Sequence, residues 1–223
     1  MAPHAPQVIT IDGPAGAGKS TVAKRLAQKL HFSYLDTGAM YRALTLKALR
    51  QNANLEDEDQ LAALAQQTTL DLENHPKGIK VFLDGEDVSQ EIRTLEVTNH
   101  TFYIARAPKV RAIMVKWQQR MGQKKNVVIE GRDTGTVVFP HANYKFYLDA
   151  DTEERTQRRI KDLEKQGQAI DQEHLKKEII ARDKKDMTRK VGALKKADDA
   201  VFIDTTELTV NQVVEKMLNY IHG

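Results

Sequence analysis

"VITIDGPAGAGKSTVAKRLAQKL", residues 8–30, decides the fold. The run QVITI (7–11) is short and β-branched and ends in Asp12-Gly13-Pro14. From Lys19 to Leu30 apolar residues recur at helical spacing. The order is therefore strand, glycine-rich loop, helix. Within it, Gly13 to Ser20 fits G-x-x-x-x-G-K-[ST] in the strand-to-helix context that makes this pattern specific. Glycines let backbone N–H groups close around phosphate oxygens, and the helix N-terminus adds positive potential. Lys19 can bridge terminal phosphates and Ser20 can offer a hydroxyl to Mg2+. The loop implies a nucleoside triphosphate and says nothing about an acceptor.

Composition narrows the setting. A chain of 223 residues, 40% hydrophobic and 29% charged, can bury one sizeable core. It has no run of about 18 apolar residues, and MAPHAPQ at its start lacks the basic-then-apolar pattern of a signal peptide. A cytoplasmic protein without membrane contact is expected. The absence of cysteine removes disulfides, thiolate metal sites and cysteine nucleophiles. The seven histidines lack metal-ligand spacing. With net charge +3, Lys and Arg alternate with Asp and Glu along helical stretches, a pattern that fits a small anionic substrate better than nucleic acid.

The rest of the chain alternates strand and helix signals. SYL (33–35), NVVIE (126–130), YKFYLD (144–149) and AVFID (200–204) read as buried strands. Helices are expected from about Ala39 to Arg50, Arg93 to Arg106, Pro108 to Gly122 and Thr209 to Ile221. Five apolar runs separated by helices imply an α/β fold with a doubly wound, five-stranded parallel sheet covered on both faces. One region departs from this rhythm. "TLDLENHPKGIKVFLDGEDV" (69–88) alternates apolar and polar residues, with turn signals at His75-Pro76, Lys77-Gly78 and Asp84-Gly85, and reads as a small antiparallel insert. The charge-dense stretch from Gln157 to Arg189 reads as a solvated helix pair.

Three further clusters carry chemistry. "LDTGAMYR" (35–42) places Asp36 and Thr37 at a strand's C-terminal end, where open α/β sheets bind ligands, with Arg42 along the following helix. An arginine fork there can take a phosphate bidentately. "IEGRDTGTVVFP" (129–140) presents Glu130, Arg132 and Asp133 at a buried strand's end, where charges must pair or meet a ligand. "ARDKKDMTRK" (181–190) can set Arg182, Asp186 and Arg189 on one helical face. Two anion sites on adjacent strands suggest a phosphorylated acceptor.

In their order, GPAGAGKST, DTGAMYR, EIRTLEV, EGRDTGTVVFP, LDADTEERTQRR and the RD…D..R segment make the chain similar to the bacterial cytidylate kinases, P-loop nucleoside monophosphate kinases. The similarity runs from about Val8 to Ile221. It implies ATP as donor with Mg2+, CMP and dCMP as acceptors, and a single kinase domain that acts as a monomer without nucleic acid. The core would span about 7–67 and 124–223, the monophosphate-binding insert about 68–106 and a helical lid about 152–170. ATP would be held by Gly13, Pro14, Ala15, Gly16, Ala17, Gly18, Lys19, Ser20, Thr21 and Arg158. Lys19, Arg132, Arg189, Arg155 and Arg159 would be catalytic. By the same resemblance Arg42 and Arg132 grip the acceptor phosphate, Asp186 and Arg189 hold ribose and phosphate, and Arg111 with Asp133 reads cytosine.

The chemistry agrees with that implication. A phosphate monoester oxygen is already anionic at neutral pH, so positioning and charge stabilisation suffice without a general base. Cytosine's exocyclic amine can donate to a carboxylate such as Asp133, whereas uracil presents a carbonyl there. The chain departs from the family at three places. Thr37 stands where some members have Ser, Glu130 where Asp is usual in a Mg2+-water role, and Phe102 where Ser commonly contacts cytosine. For Phe102 three alternatives stand: the ring stacks on the base, Thr101 takes the serine's place, or the match is displaced by one residue. Other P-loop small-molecule kinases (UMP/CMP, adenylate or shikimate-type) form one competing reading. A nucleotide-dependent switch or nucleic-acid ATPase forms another, although the guanine-reading N-K-x-D is absent.

Overall fold

A computed structural model describes residues 6–75, 78–164 and 170–223. The elements begin with β1 (Val8–Asp12), α1 (Lys19–Leu30), β2 (Ser33–Asp36), α2 (Thr37–Arg50), α3 (Glu58–Gln66), β3 (Leu70–His75), β4 (Gly78–Leu83) and β5 (Glu86–Asp87). A 3-10 turn at Glu91–Arg93 leads into α4 (Leu95–Arg106), α5 (Pro108–Gly122) and β6 (Val127–Gly131). A π-helical turn at Thr134–Val138 precedes β7 (Tyr144–Asp149), α6 (Thr152–Glu164), α7 (Gln172–Met187), β8 (Val201–Asp204) and α8 (Val210–His222).

The five expected strands form one parallel sheet in the order β2-β6-β1-β7-β8. All five residues of β1 and of β6 are buried, so both pleat faces of these central strands are covered. Their apolar side chains join one core with Leu26 of α1, Leu44 of α2, Met114 of α5 and Val214 of α8. Asp12 lies level with Gly131 and Asp36 with Glu130, which brings the sheet's functional ends to one edge.

The insert is a second, antiparallel sheet in the order β3-β4-β5. Its Asp84-Gly85 turn holds both residues at positive φ, 51° and 88°, which matches the right-handed twist of a tight hairpin. The turn expected across Pro76 and Lys77 lies outside the described residues, as do 165–169 of the expected lid.

Four differences from the sequence reading have local causes. Helix α2 begins at Thr37, two residues earlier than expected, because the Asp36 carboxylate caps it by accepting from the Ala39 N–H at 2.8 Å. Helix α3 was not anticipated. Asp57 caps it, Glu58 and Asp59 occupy its first turn, and Leu61, Ala62, Leu64 and Ala65 are buried. The charged α6–α7 pair is only partly solvated, since Leu163, Leu175 and Ile179 form a small apolar seam with Ile160 and Ile170. Helix α7 stops at Met187, so Arg189 lies beyond the helix and not on it.

Candidate active site

The phosphate loop is held open by backbone geometry. Gly13, Gly16 and Gly18 take φ values of 149°, 80° and 84°, and a Cβ on Gly13 would overlap the Leu148 carbonyl. Gly18 precedes α1 without a side-chain cap, so the helix's first amides remain donors for an anion. Lys19 is buried and donates to the Pro14 carbonyl at 2.6 Å. Burial, then nearby Arg132, lower its pKa from 10.5 to about 7. A phosphate beside it would restore the charge.

At the end of β2, Asp36 caps α2 through one oxygen and accepts from Arg42 Nη2 at 3.2 Å through the other. Thr37 donates its hydroxyl to the Glu130 carbonyl at 2.7 Å. These contacts place both side chains in the β2–β6 framework and leave the Arg42 Nε buried without a partner among the described residues. The Glu130 carboxyl is pushed up by burial and by Asp36, against the opposing influence of Lys19 and hydrogen bonds from Ser20 and Tyr34. The Ser20 hydroxyl and this carboxylate are hard oxygen donors beside the phosphate loop, and a divalent cation would relieve the buried carboxyl.

Beyond β6, Arg132 Nε donates to Asp186 Oδ2 at 2.8 Å, and Arg189 pairs with Asp186 Oδ1. Although burial opposes it, the surrounding Arg132, Arg189 and Arg182 hold the Asp186 carboxyl below its usual range. Arg182 is exposed to solvent. It is nevertheless lowered to about 10 by the enclosing protein and by Arg132, Arg42 and Arg159. Cations from the phosphate loop, α2, β6, α6 and α7 thus crowd one space, a field suited to polyanions.

Arg111 and Asp133 form a buried ion pair through Asp133 Oδ2. Arg111 is 2% exposed, donates to the Ala105 carbonyl at 3.2 Å and lies 5.6 Å from the Tyr41 ring centroid. Burial raises the Asp133 carboxyl, while Arg111 opposes the rise. Among the described residues the Nε groups of Arg111 and Arg189 are buried without partners, like that of Arg42. All three arginines were singled out by resemblance for the acceptor site, and each keeps a donor to offer.

Phe102 is half-buried on α4, with Lys185 at 5.1 Å and Arg106 at 5.4 Å from its ring centroid. Thr101 donates to the Val97 carbonyl at 2.7 Å and faces the Thr45 hydroxyl of α2 at 3.4 Å. The two residues therefore serve different surroundings.

The expected lid arginines separate. Arg158 donates to the Thr205 hydroxyl and carbonyl at 3.0 and 2.6 Å beside the phosphate loop, and to Glu154 at 2.8 Å. Arg159 belongs to the cationic cluster around Arg182. Arg155 is buried in a set of bonds to Ala150, Thr152, Ala15 and Asp183.

The sequence reading missed Asp12, Asp183 and Gly192. Asp12 accepts from the Thr134 N–H and hydroxyl at 2.9 and 2.8 Å and from the Gly135 N–H at 2.7 Å, tying the π-helical turn to β1. Its position just before Gly13 was a usable signal. Gly192, at φ 65°, lies against the Arg111–Asp133 pair, and a Cβ there would overlap both side chains. No local pattern marked it.

A parallel sheet with a phosphate loop on its central strand, and arginines gathered opposite, defines a P-loop kinase. A solved gluconokinase from Sinorhizobium meliloti 1021 shares the fold at a TM-score of 0.50, with 12% identity over 96% of this chain and 90% of that one. The cytidylate kinase family profile matches residues 9–223, and the chain belongs to that family. It is 49% identical over 209 residues to the cytidylate kinase of Caldanaerobacter subterraneus subsp. tengcongensis, covering 94% of this chain and 92% of the relative. It is 50% identical over 213 residues to that of Desulforamulus reducens, covering 96% of each.

Proposed function

We propose that this chain transfers the terminal phosphoryl group of ATP to the phosphate of CMP and dCMP, giving ADP and the cytidine diphosphates. The observation that carries this reading is the gathering of Arg132 and Arg182 around the buried Lys19 of the phosphate loop. Burying cations close together is costly unless anions occupy the space between them.

In this reading the backbone N–H groups between Gly13 and Thr21, Pro14 apart, hold the ATP phosphates, and Arg158 lies along the loop's outer side. Lys19 neutralises charge on the transferring group. Arg42 and Arg132 orient the acceptor phosphate, whose anionic oxygen attacks the terminal phosphorus as the bond to ADP breaks. Arg189, Arg159 and Arg182 stabilise charge spread over the equatorial oxygens. Asp186 holds ribose while keeping Arg132 and Arg189 in place. Ser20 and a water facing Glu130, together with the ATP phosphates, would hold Mg2+, which would supply charge neutralisation at the same oxygens. Phe102 borders the acceptor, and Arg111 fixes Asp133 so that its remaining oxygen accepts from the cytosine amine. Domain limits follow: a core of about 7–67 and 124–223, an insert of about 68–106 and a lid of about 152–170, in a cytoplasmic monomer.

The test is product analysis by phosphorus NMR with ATP, Mg2+ and CMP. CDP and ADP should appear in equal amounts, and Lys19→Ala should abolish both while the thermal melt stays cooperative. ADP formed without CDP would show an ATPase and contradict the assignment.

A further inference from the structure

We infer that Asp183 and Arg155 are a positioning pair that holds Ala15 of the phosphate loop by both its N–H and its carbonyl, so that α7 sets the loop's orientation. This rests on the loop being the ATP site. Asp183 Oδ1 accepts from the Ala15 N–H at 3.3 Å. Arg155 Nη1 donates to the Ala15 carbonyl at 3.1 Å and pairs with Asp183 Oδ2, which closes a ring of contacts around one residue and holds the two peptide groups that flank it. The rest of the guanidinium is committed as well: Nε donates to the Ala150 carbonyl at 2.9 Å and Nη2 to the Thr152 hydroxyl at 3.1 Å.

Both side chains are buried. The chain at Arg155 packs so closely that a Cβ on Gly16 would come within 3.0 Å of its Cβ and carbonyl oxygen. With its donors used in this way, Arg155 is placed to brace the loop and not to meet a phosphate. A buried ion pair of this kind is weak evidence for stability, because desolvation offsets the attraction. Its effect here is geometric. The carbonyl that Arg155 holds shares its peptide with the Gly16 N–H, and Ala17 and Gly18 follow directly, so a rotation of the Ala15–Gly16 peptide would turn a phosphate donor away.

Helix α7 also carries Arg182 and Asp186, one residue before Asp183 and three after it. The helix that braces the donor loop is therefore the helix whose charges face the acceptor side. A shift of α7 on acceptor binding is transmitted to Ala15 through one side chain, which gives the two substrate sites a route for thermodynamic coupling.

The experiment uses three full-length proteins: wild type, Asp183→Asn, and the double variant Asp183→Leu with Arg155→Met, which removes both charges together and keeps the fold if the single variant does not. Three quantities are measured: the ADP dissociation constant by calorimetry with and without CMP, the melting temperature, and hydrogen exchange of amides 15–18 without nucleotide. In the double variant, ADP affinity should fall about tenfold or more, the loop amides should exchange faster, and the effect of CMP on ADP affinity should shrink toward one. The melting temperature should stay within a few degrees of wild type. Wild-type ADP affinity and loop exchange in the double variant would overturn the pair's role. Failure of wild type to bind ADP would instead overturn the donor assignment, while the exchange comparison would still test the pair.

Discussion

The phenol of Tyr34 donates to Glu130 Oε1 at 2.6 Å, from β2 to the neighbouring β6. Glu130 is longer by one methylene than the aspartate expected there by family resemblance, and Tyr34 fixes where that longer carboxylate ends. Tyr34→Phe should leave the acceptor short of one bond and lower stability by about 1 kcal/mol. Because the Tyr34 bond opposes the upward push of burial on Glu130, its loss should raise that carboxyl further. The acidic limb of the rate profile should then move to higher pH, and Mn2+ affinity, read by electron paramagnetic resonance in the presence of ADP, should weaken. Unchanged metal affinity would detach Tyr34 and Glu130 from the cation.

Asp12 predicts a pH dependence of folding. Burial raises its carboxyl from 3.8 to about 6 against the bonds from Gly135 and Thr134. The folded state therefore binds the proton more tightly than the unfolded chain. The contribution is fully present below pH 3.8 and is lost as pH rises through about 6, a change of roughly 3 kcal/mol. Asp133 and Glu130 act in the same direction and Asp186 in the opposite one. The clean comparison is thus the slope of unfolding free energy between about pH 4 and 6 in wild type and Asp12→Asn. The variant should lose the downward slope that Asp12 supplies, and identical slopes would contradict the assignment.

Phe102 lies outside the buried core cluster, between Arg106 and Lys185. Phe102→Ala should therefore change stability by under about 1 kcal/mol. If the ring borders cytosine as proposed, CMP affinity should weaken by roughly 1–3 kcal/mol. Calorimetry with CMP and denaturant unfolding separate the two effects. A large stability loss with unchanged CMP affinity would make Phe102 a packing residue.

Asp133→Asn tests base reading without stranding a bare cavity beside Arg111. The amide can still accept from cytosine, and it can also donate to the uracil carbonyl. The ratio of kcat/KM for CMP over UMP should fall by about tenfold or more. Removing the Arg111–Asp133 charge pairing should also destabilise the fold by about 3 kcal/mol or more. An unchanged ratio would mean that Asp133 orients Arg111 and does not meet the base.

The sheet was legible because each strand is a short apolar run bounded by turns, and Gly13 to Ser20 declares its own conformation. The Asp84-Gly85 hairpin was legible for the same local reason. Helix α3 was not, since its short apolar stretch, Leu61 to Ala65, is diluted by alanines and flanked by acids and glutamines. In the site, the charged residues at strand ends were visible as types out of place. Their partners were not. Asp183 meets Arg155 across 28 positions, Arg132 meets Asp186 across 54, and Asp12 meets Thr134 across 122, so no short window of sequence contains both ends of any of the three bonds. Arg155 shares a segment with Arg158 and Arg159, yet its donors turn inward to the phosphate loop, which the sequence does not reveal.

The most direct measurement is kcat/KM of the wild-type chain for CMP, dCMP, UMP, AMP and GMP at saturating ATP and Mg2+. CMP and dCMP should exceed UMP by about 10² or more, with the purine monophosphates poorer still, because only cytosine offers a donor to the buried Asp133 carboxylate. Comparable values for UMP or AMP, or ADP formation independent of any monophosphate, would contradict the account.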